Sequence, residues 1–495
     1  MTNYPALLLT DFYKVSHRQA SPQGTEKMHA TWIPRGSRIP TIDHVVAFGF
    51  QAFVKRYLID YFNENFFSKP VDAVVADYER LIRYTLGIDN PDSHHIRELH
   101  SIGFLPLLIR AVPEGTRVPL RVPMLTIENT IPEAFWVTNY IETLLSAEIW
   151  HPCTSATLAY EFRKLFDHWA AKTGGPAEFT QFQGHDFSMR GMPSLEAAAA
   201  SGAGHLLSFV GTDTIPSIMY LEQFYNADIE KMLVGTSVPA TEHSIMCAYG
   251  QNEYESFKRI ITECYPSGII SIVSDTWDLW HVLTNVIPSL HQEIMARDGK
   301  VVIRPDSGRP ADIMCGDPKA AAGSPASLGV IELLWNEFGG TVNTKGYREL
   351  DSHIGSIYGD AITYDVAREI CERLAEKGFA STNMVYGIGS FTYQYVTRDT
   401  FSFALKSTDA VINGEEIQIW KDPVTDPGAV KKSLRGRVVV REEADGNLVV
   451  VDHLSHAEQE ELSNIDMLKP IFLNGQLLNE QNLTDIRKRL HPCFS

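Results

Sequence analysis

The sequence predicts an α/β fold, and three observations carry that reading. First, the middle third repeats short apolar runs that stop at a polar residue or a glycine and are mostly followed by a helical pattern. The runs are SFVGTD ending at Asp213, SVPATEH at His243, SIVSD at Asp275, VVIRPD at Asp306, SIYGD at Asp360 and MVYGIG at Gly389. Most intervals are about thirty residues, the size of a strand plus a helix. Second, 44% hydrophobic and 21% charged residues are ordinary globular proportions, which excludes collagen-like, low-complexity and disordered chains. Third, 495 residues hold two or three domains of roughly 150 residues each. Successive parallel βα units form a barrel or an open doubly wound sheet, and in both the chemistry sits at the C-terminal strand ends.

Taken in order, Val45 to Phe67 carries apolar and aromatic residues at helical spacing, and Pro132 to Trp150 opens with Pro-Glu and does the same. Between them, FLPLLIRAVPEGTRVPLRVPMLTIENT reads as strands around a Pro-Glu-Gly turn. The helix after Asp360 is well marked, with Thr363 as N-cap, Val366, Ile370 and Leu374 on one face, and Gly378 past its end. The longer interval from Asp306 to Asp360 contains an insertion rich in Gly, Pro and Ala, Gly308 to Ser327. In the last hundred residues RVVVREEADGNLVVVDH is a hairpin signal with Asp445-Gly446 near its turn.

A formal net charge of −18 with no long basic run argues against nucleic acid and anionic membranes as partners. No stretch approaches the roughly 18 apolar residues of a membrane span. The N-terminus lacks a basic n-region, and the six scattered cysteines include no CxxC pair and read as reduced thiols. The chain therefore reads as soluble and cytoplasmic. Walker A, GxGxxG, HExxH and GxSxG signatures are missing, and HHIRELH from His94 reads as a solvated helix face. An Asp that starts a βα loop often only caps the next helix, so the series of acids has a structural reading beside the functional one.

The strings LLTDFYKVSH, GHDFSMRGM, FVGTDT, VPATEHS, VSDTWD, IRPDSG, YGD, TRD and KDPVTDP follow one another in this order along nearly the whole chain. Together they resemble the nicotinamide phosphoribosyltransferases. The resemblance implies an irregular (β/α) barrel-like domain over 156–394. Residues 1–155 would form an N-terminal α+β region, and residues 395–495 a β-rich region packing with it as a second domain. It implies transfer of phosphoribose from phosphoribosyl pyrophosphate to nicotinamide, giving nicotinamide mononucleotide and pyrophosphate in NAD salvage. It further implies Mg²⁺, for which the sequence names no protein ligand, coupling to ATP hydrolysis through a phosphohistidine, and a homodimer with shared active sites.

Residue by residue, the resemblance gives Phe187 and Tyr13 the stacking of nicotinamide, Tyr13 coming from the other subunit. Asp213 would accept the carboxamide NH₂ and repel the carboxylate of nicotinate. Arg190 would take the carboxamide oxygen or a phosphate. Asp306 and Arg304 share one strand face; Asp306 would serve the ribose hydroxyls or the developing positive charge, and Arg304 the phosphate. Asp275 would support that pocket, and Gly359 and Asp360 the ribose hydroxyls. His243 would carry the phosphoryl group from ATP, with Glu242 orienting its ring. Arg35, Gly389, Arg398, Lys406 and Lys421 would hold the phosphates, Arg398 and Lys406 reaching in from the partner. The sequence departs from the family at Ser390 and Phe391, which stand where glycines are expected, and at Met189, where an aromatic is usual. The stretch GAVKKSLRGR is also longer than expected, so Lys431 and Lys432 compete for the last phosphate role.

Three rivals remain. Nicotinate phosphoribosyltransferase is opposed by Asp213, and a barrel metal hydrolase using His185 and His243 lacks an HxH pair. A non-catalytic signalling dimer has no use for both His243 and Asp306.

Overall fold

The computed structural model describes residues 4–422, 425, 433–492 and 494. In chain order its principal strands are β1 (Thr25–Pro34), β2 (Leu107–Ala111), β3 (Leu125–Asn129), β4 (Gly184–Asp186), β5 (Gly211–Thr212), β6 (Gly268–Val273), β7 (Gly299–Arg304), β8 (Ile354–Tyr358) and β9 (Met384–Ile388). They continue with β10 (Phe403–Ile412), β11 (Glu415–Gln418), β12 (Arg437–Glu442), β13 (Leu448–Leu454), β14 (Lys469–Leu473) and β15 (Gln476–Leu477). The chain divides into two compact units, one of residues 1–157, 221–227 and 396–492, the other of residues 158–220, 228–395 and 493–495.

The second unit holds a six-stranded sheet in the order β5-β4-β9-β8-β7-β6, with every neighbouring pair parallel. All five residues of β8 are buried, the pattern of a strand covered on both faces. The sheet curls, and the segment Thr236–Ala240 bridges its two edges. Thr236 pairs in parallel with Gly211 at the end of β5, and Ala240 with Ser271 of β6. Pro239 lies in this segment and has no N–H to give, so SVPATEH closes the ring through isolated bridges without becoming a regular strand. The result is an irregular α/β barrel. The helix Tyr364–Glu376 follows β8, capped by Thr363, whose hydroxyl accepts the Val366 N–H, and ended by left-handed Gly378. Its buried face is Ala367, Ile370, Cys371 and Leu374, with Val366 at the margin.

The first unit is built on an antiparallel sheet, β11-β10-β1-β3-β2-β14-β15. Trp32 of β1 lies flat on Phe403 of β10, ring centroids 4.4 Å apart. The hairpin β12–β13 forms as its sequence predicts, with Asp445 and Gly446 in the turn. Glu114 is wholly buried. It accepts the backbone N–H groups of Gly49 at 2.8 Å and Gln51 at 2.7 Å and the Tyr225 hydroxyl at 2.9 Å. Burial outweighs these bonds and raises its pKa to about 7.

Three local expectations change. A short strand, His44–Val46, precedes the first predicted helix, which starts at Phe50 and widens into π-type turns over Val54–Tyr61 and Asn63–Phe67. The helix predicted to end at Trp150 belongs to Glu142–Thr173, which runs through Pro152, a residue that ordinarily breaks a helix. Of the three histidines on the helix His94–Ile102 only His94 is exposed. His95 is buried edge-on against Trp136, and desolvation lowers its pKa to about 4. Among the described residues no helix is long and apolar enough to cross a membrane.

Candidate active site

The C-terminal ends of β4 to β9 bring ten of the predicted residues into one unit: Phe187, Arg190, Asp213, His243, Asp275, Arg304, Asp306, Gly359, Asp360 and Gly389. A cavity of about 320 Å³ occupies the barrel interior, lined by Phe187, Asp213 and Arg304 toward the C-terminal strand ends and by Ile269, Lys300 and Ile354 toward the N-terminal ones.

Asp275 organises one side. Its buried carboxylate spends Oδ2 on the backbone N–H groups of Asp306 and Ser307, at 2.8 and 2.7 Å, and Oδ1 on Nε2 of His243 at 3.1 Å. This settles its structural alternative. The turn Leu279–His281 that follows is capped by Asp278, not Asp275. Asp275 thus ties the VPATEHS segment to the IRPDSG loop. His243 is the first residue of the helix His243–Ala248 and its side chain is 44% exposed. Glu242, expected to orient the ring, instead accepts a hydrogen bond from the Ser244 hydroxyl.

Arg304 and Asp306 point to one side and form a forked pair, Nε to Oδ1 at 3.3 Å and Nη2 to Oδ2 at 3.1 Å. Gly359 makes room for it. A Cβ there would lie 2.1 Å from Asp306 Oδ1 and 3.4 Å from Arg304 Nε. Asp360 is exposed, and Ala361 after it has φ of 55°, a left-handed conformation that strains a residue with a Cβ.

Phe187 is held by its N–H donating to the Ile388 carbonyl at 3.0 Å. Its ring has the Arg304 guanidinium carbon 5.7 Å from its centroid. The glycine that permits this is Gly387, where a Cβ would lie 2.5 Å from the Phe187 ring. At Gly389 a Cβ would meet nothing within 4 Å. Ser390 packs its hydroxyl against Gly191, next to Arg190 in the turn Met189–Gly191, and Phe391 stacks on Tyr395. Ser390 thus fits against Gly191, whereas Phe391 and Tyr395 form an exposed pair.

Asp213 faces the same cavity. Its Oδ1 accepts from Ser237 Oγ at 2.6 Å and pairs with His185 Nε2 at 2.8 Å. Desolvation raises its pKa, but these two bonds and the charge of Arg304 prevail and hold it below the usual value. His185 and Ser237 were not among the predicted binding residues. The signal was the histidine beside Asp186 in GHDF, which carries no meaning until Asp213 is placed opposite it.

The other predicted residues lie in the first unit. Tyr13 is exposed on the short helix Phe12–Val15. Arg35 donates from Nε to the Ser402 carbonyl at 3.1 Å. Arg398 pairs with Asp399 in a capped turn. The Lys406 ammonium is pushed below its usual pKa, first by desolvation and then by the charges of Arg35, Lys14 and Lys421, with Glu142 opposing. Arg35, Lys14 and Lys421 thus lie within electrostatic reach of Lys406, and Lys14 is paired with Glu142. Lys431 and Lys432 lie outside the described residues.

Among solved structures, nicotinate-nucleotide pyrophosphorylase from Pyrococcus furiosus has a TM-score of 0.56 at 16% identity, covering 98% of this chain and 94% of that one. Human nicotinic acid phosphoribosyltransferase has a TM-score of 0.50 at 15% identity, with 98% and 93% covered. These likenesses show the fold. Sequence goes further. Residues 182–470 match the nicotinate phosphoribosyltransferase (NAPRTase) family and residues 5–72 the nicotinamide phosphoribosyltransferase N-terminal domain. A nicotinamide phosphoribosyltransferase of Acinetobacter baylyi is 48% identical over 97% of this chain and 96% of its own. One of Mycoplasma pneumoniae is 34% identical over 88% and 96%. A barrel whose strand ends gather these acids, and a match of this extent, leave one assignment: the chain is a phosphoribosyltransferase and belongs to the nicotinamide phosphoribosyltransferase family.

Proposed function

We propose that the chain joins the pyridine nitrogen of nicotinamide to C1 of phosphoribosyl pyrophosphate, releasing pyrophosphate. The nitrogen attacks with its own lone pair, so no general base is needed. The site must hold a flat ring, neutralise a polyanion and stabilise an oxocarbenium-like sugar. Phe187 supplies a stacking face, and the Arg304–Asp306 pair presents opposite charges to phosphate and sugar. Arg190, Gly359, Asp360 and Gly389 complete the strand-end set, and the first-unit cations serve the phosphates.

One observation carries the choice of nicotinamide: Asp213 is kept ionised, with Oδ1 occupied by His185 and Ser237. Oδ2 then accepts the carboxamide NH₂ and repels a nicotinate carboxylate. Wild type should prefer nicotinamide by at least about 100-fold in kcat/KM, and Asp213→Asn should narrow that gap at least about tenfold. A wild-type preference for nicotinate would sink the assignment.

For ATP coupling, Asp275 accepts the Nε2 proton of His243 and leaves Nδ1 as the nucleophile. Its lone pair would bond the γ-phosphorus of ATP as the bond to the departing ADP oxygen breaks. Incubation with γ-labelled ATP should give an acid-labile label that His243→Ala abolishes. A label that survives this substitution removes His243 from the step.

Among the described residues no group of three or more His, Cys, Asp or Glu could hold a metal ion, so Mg²⁺ would enter on the pyrophosphate, where it favours phosphate oxygens and water. A homodimer would bring Tyr13, Arg398 and Lys406 of one subunit to the strand ends of the other. Mixed dimers of Tyr13→Ala and Asp213→Ala chains should recover activity that neither variant shows alone. Their failure to do so would place each site within a single chain.

A further inference from the structure

Buried in the first unit is a charge cluster that the proposed mechanism does not use. His29 of β1 stands opposite Asp409 of β10 on one side and Glu128 of β3 on the other, one row across three strands. Arg437 of β12 covers the row. Its Nε donates to Asp409 Oδ2 at 3.1 Å, and Nη1 contacts Glu128 Oε2 and lies 3.2 Å from His29 Nδ1. None of the four is more than 6% exposed.

Such a cluster is weak evidence for stability, since apolar residues of equal volume often serve a core as well. What buried ions do well is fix register. Here register matters because β10 is irregular at this point. His29 faces Asp409, the next β1 residue Ala30 faces Ser407, and Thr31 faces Lys406. Thr408 is therefore an extra residue, a bulge immediately beside the cluster. The bulge makes the three-residue step from Asp409 to Lys406 equivalent to two ladder positions. Thr31 and His29 share a face of β1, so Lys406 emerges on the same face as Asp409. A slip of one residue would turn Lys406 to the opposite face.

We infer that Arg437 and Asp409, with His29 and Glu128, are positioning residues that lock this bulge and so set Lys406 among the cations that grip the substrate's phosphates. The inference rests on the phosphate role of Lys406 proposed above.

The test uses the full-length enzyme and the variants Lys406→Ala, Asp409→Asn and Arg437→Lys, with kcat, both KM values and thermal unfolding measured for each. Lys406→Ala should raise the KM for phosphoribosyl pyrophosphate about tenfold or more. Asp409→Asn and Arg437→Lys should raise it about fivefold or more, with the nicotinamide KM and kcat changed less than about threefold. Each should add nothing further in a Lys406→Ala background, because the path runs through that lysine. If Lys406→Ala leaves this KM unchanged, the phosphate reading fails and the inference with it. If Lys406→Ala raises it but Asp409→Asn does not, or the effects simply add, the phosphate reading stands and the positioning role is overturned. Asp409→Asn preserves side-chain shape and decides the matter should Arg437→Lys not fold.

Discussion

The two units keep charge away from water in opposite ways. At the strand ends of the barrel, Asp275 is satisfied largely by main-chain N–H groups of the loop after β7. On the antiparallel sheet, Glu128 and one oxygen of Asp409 are held by a guanidinium from another strand pair, and burial raises the Asp409 pKa to about 6. Backbone donors are fixed once the loop is folded, so Asp275 keeps its charge on a single loop. Side-chain partners exist only if four strands meet in register. Asp275 depends on one loop, the sheet cluster on four strands.

The largest effect expected from this contrast is at Asp275. Asp275→Ala strands two backbone donors and frees His243, and should lower kcat/KM by about 100-fold or more while destabilising the protein by about 2–4 kcal/mol. Steady-state kinetics with denaturant unfolding checks both, and a variant of unchanged stability would show that these loops hold themselves. Next is Gly359→Ala. Its Cβ would displace Asp306, and we expect a fall of about 10-fold or more in kcat with Tm changed little.

A buried carboxylate of the sheet unit gives the third prediction. Glu114 has a folded pKa of about 7, raised by burial above the usual 4.5. The folded state therefore holds the proton more tightly, and the resulting stability is present below pH 4.5 and lost as pH rises through about 7. Relative to Glu114→Gln, wild type should lose about 3 kcal/mol across that window. Equal pH slopes in urea unfolding would refute it. The smallest effect is at Ala361. Ala361→Gly should relieve left-handed strain and stabilise by at most about 1 kcal/mol in the same assay, while a destabilisation would mean that the Ala361 side chain packs usefully.

The same contrast explains what could be read from sequence. The strand-end acids were legible because each ends an apolar run, so Asp213, Asp275, Asp306 and Asp360 declare themselves within six residues of chain. Their spacing predicted parallel βα units but left a barrel and an open sheet as alternatives, since Pro239 disguises the segment that bridges β5 and β6. The pairing of His185 with Asp213 and of His243 with Asp275 spans about thirty residues and appears only once strands are neighbours. The row His29, Glu128, Asp409 and Arg437 is legible least of all. Its members are scattered from one end of the chain to the other, and the bulge that gives it meaning leaves no mark in composition.

Cys247 lies one turn beyond His243 on the helix His243–Ala248 and is exposed, as is Cys264. Cys153, Cys315 and Cys371 are buried, and desolvation pushes the thiols of Cys315 and Cys371 up to about 12, where alkylating reagents find almost no thiolate at neutral pH. With Cys264 and Cys493 replaced by serine, a maleimide dye would settle on Cys247. The protein thus carries its own attachment point for a fluorescent reporter, four residues from the histidine whose occupancy by phosphate is in question.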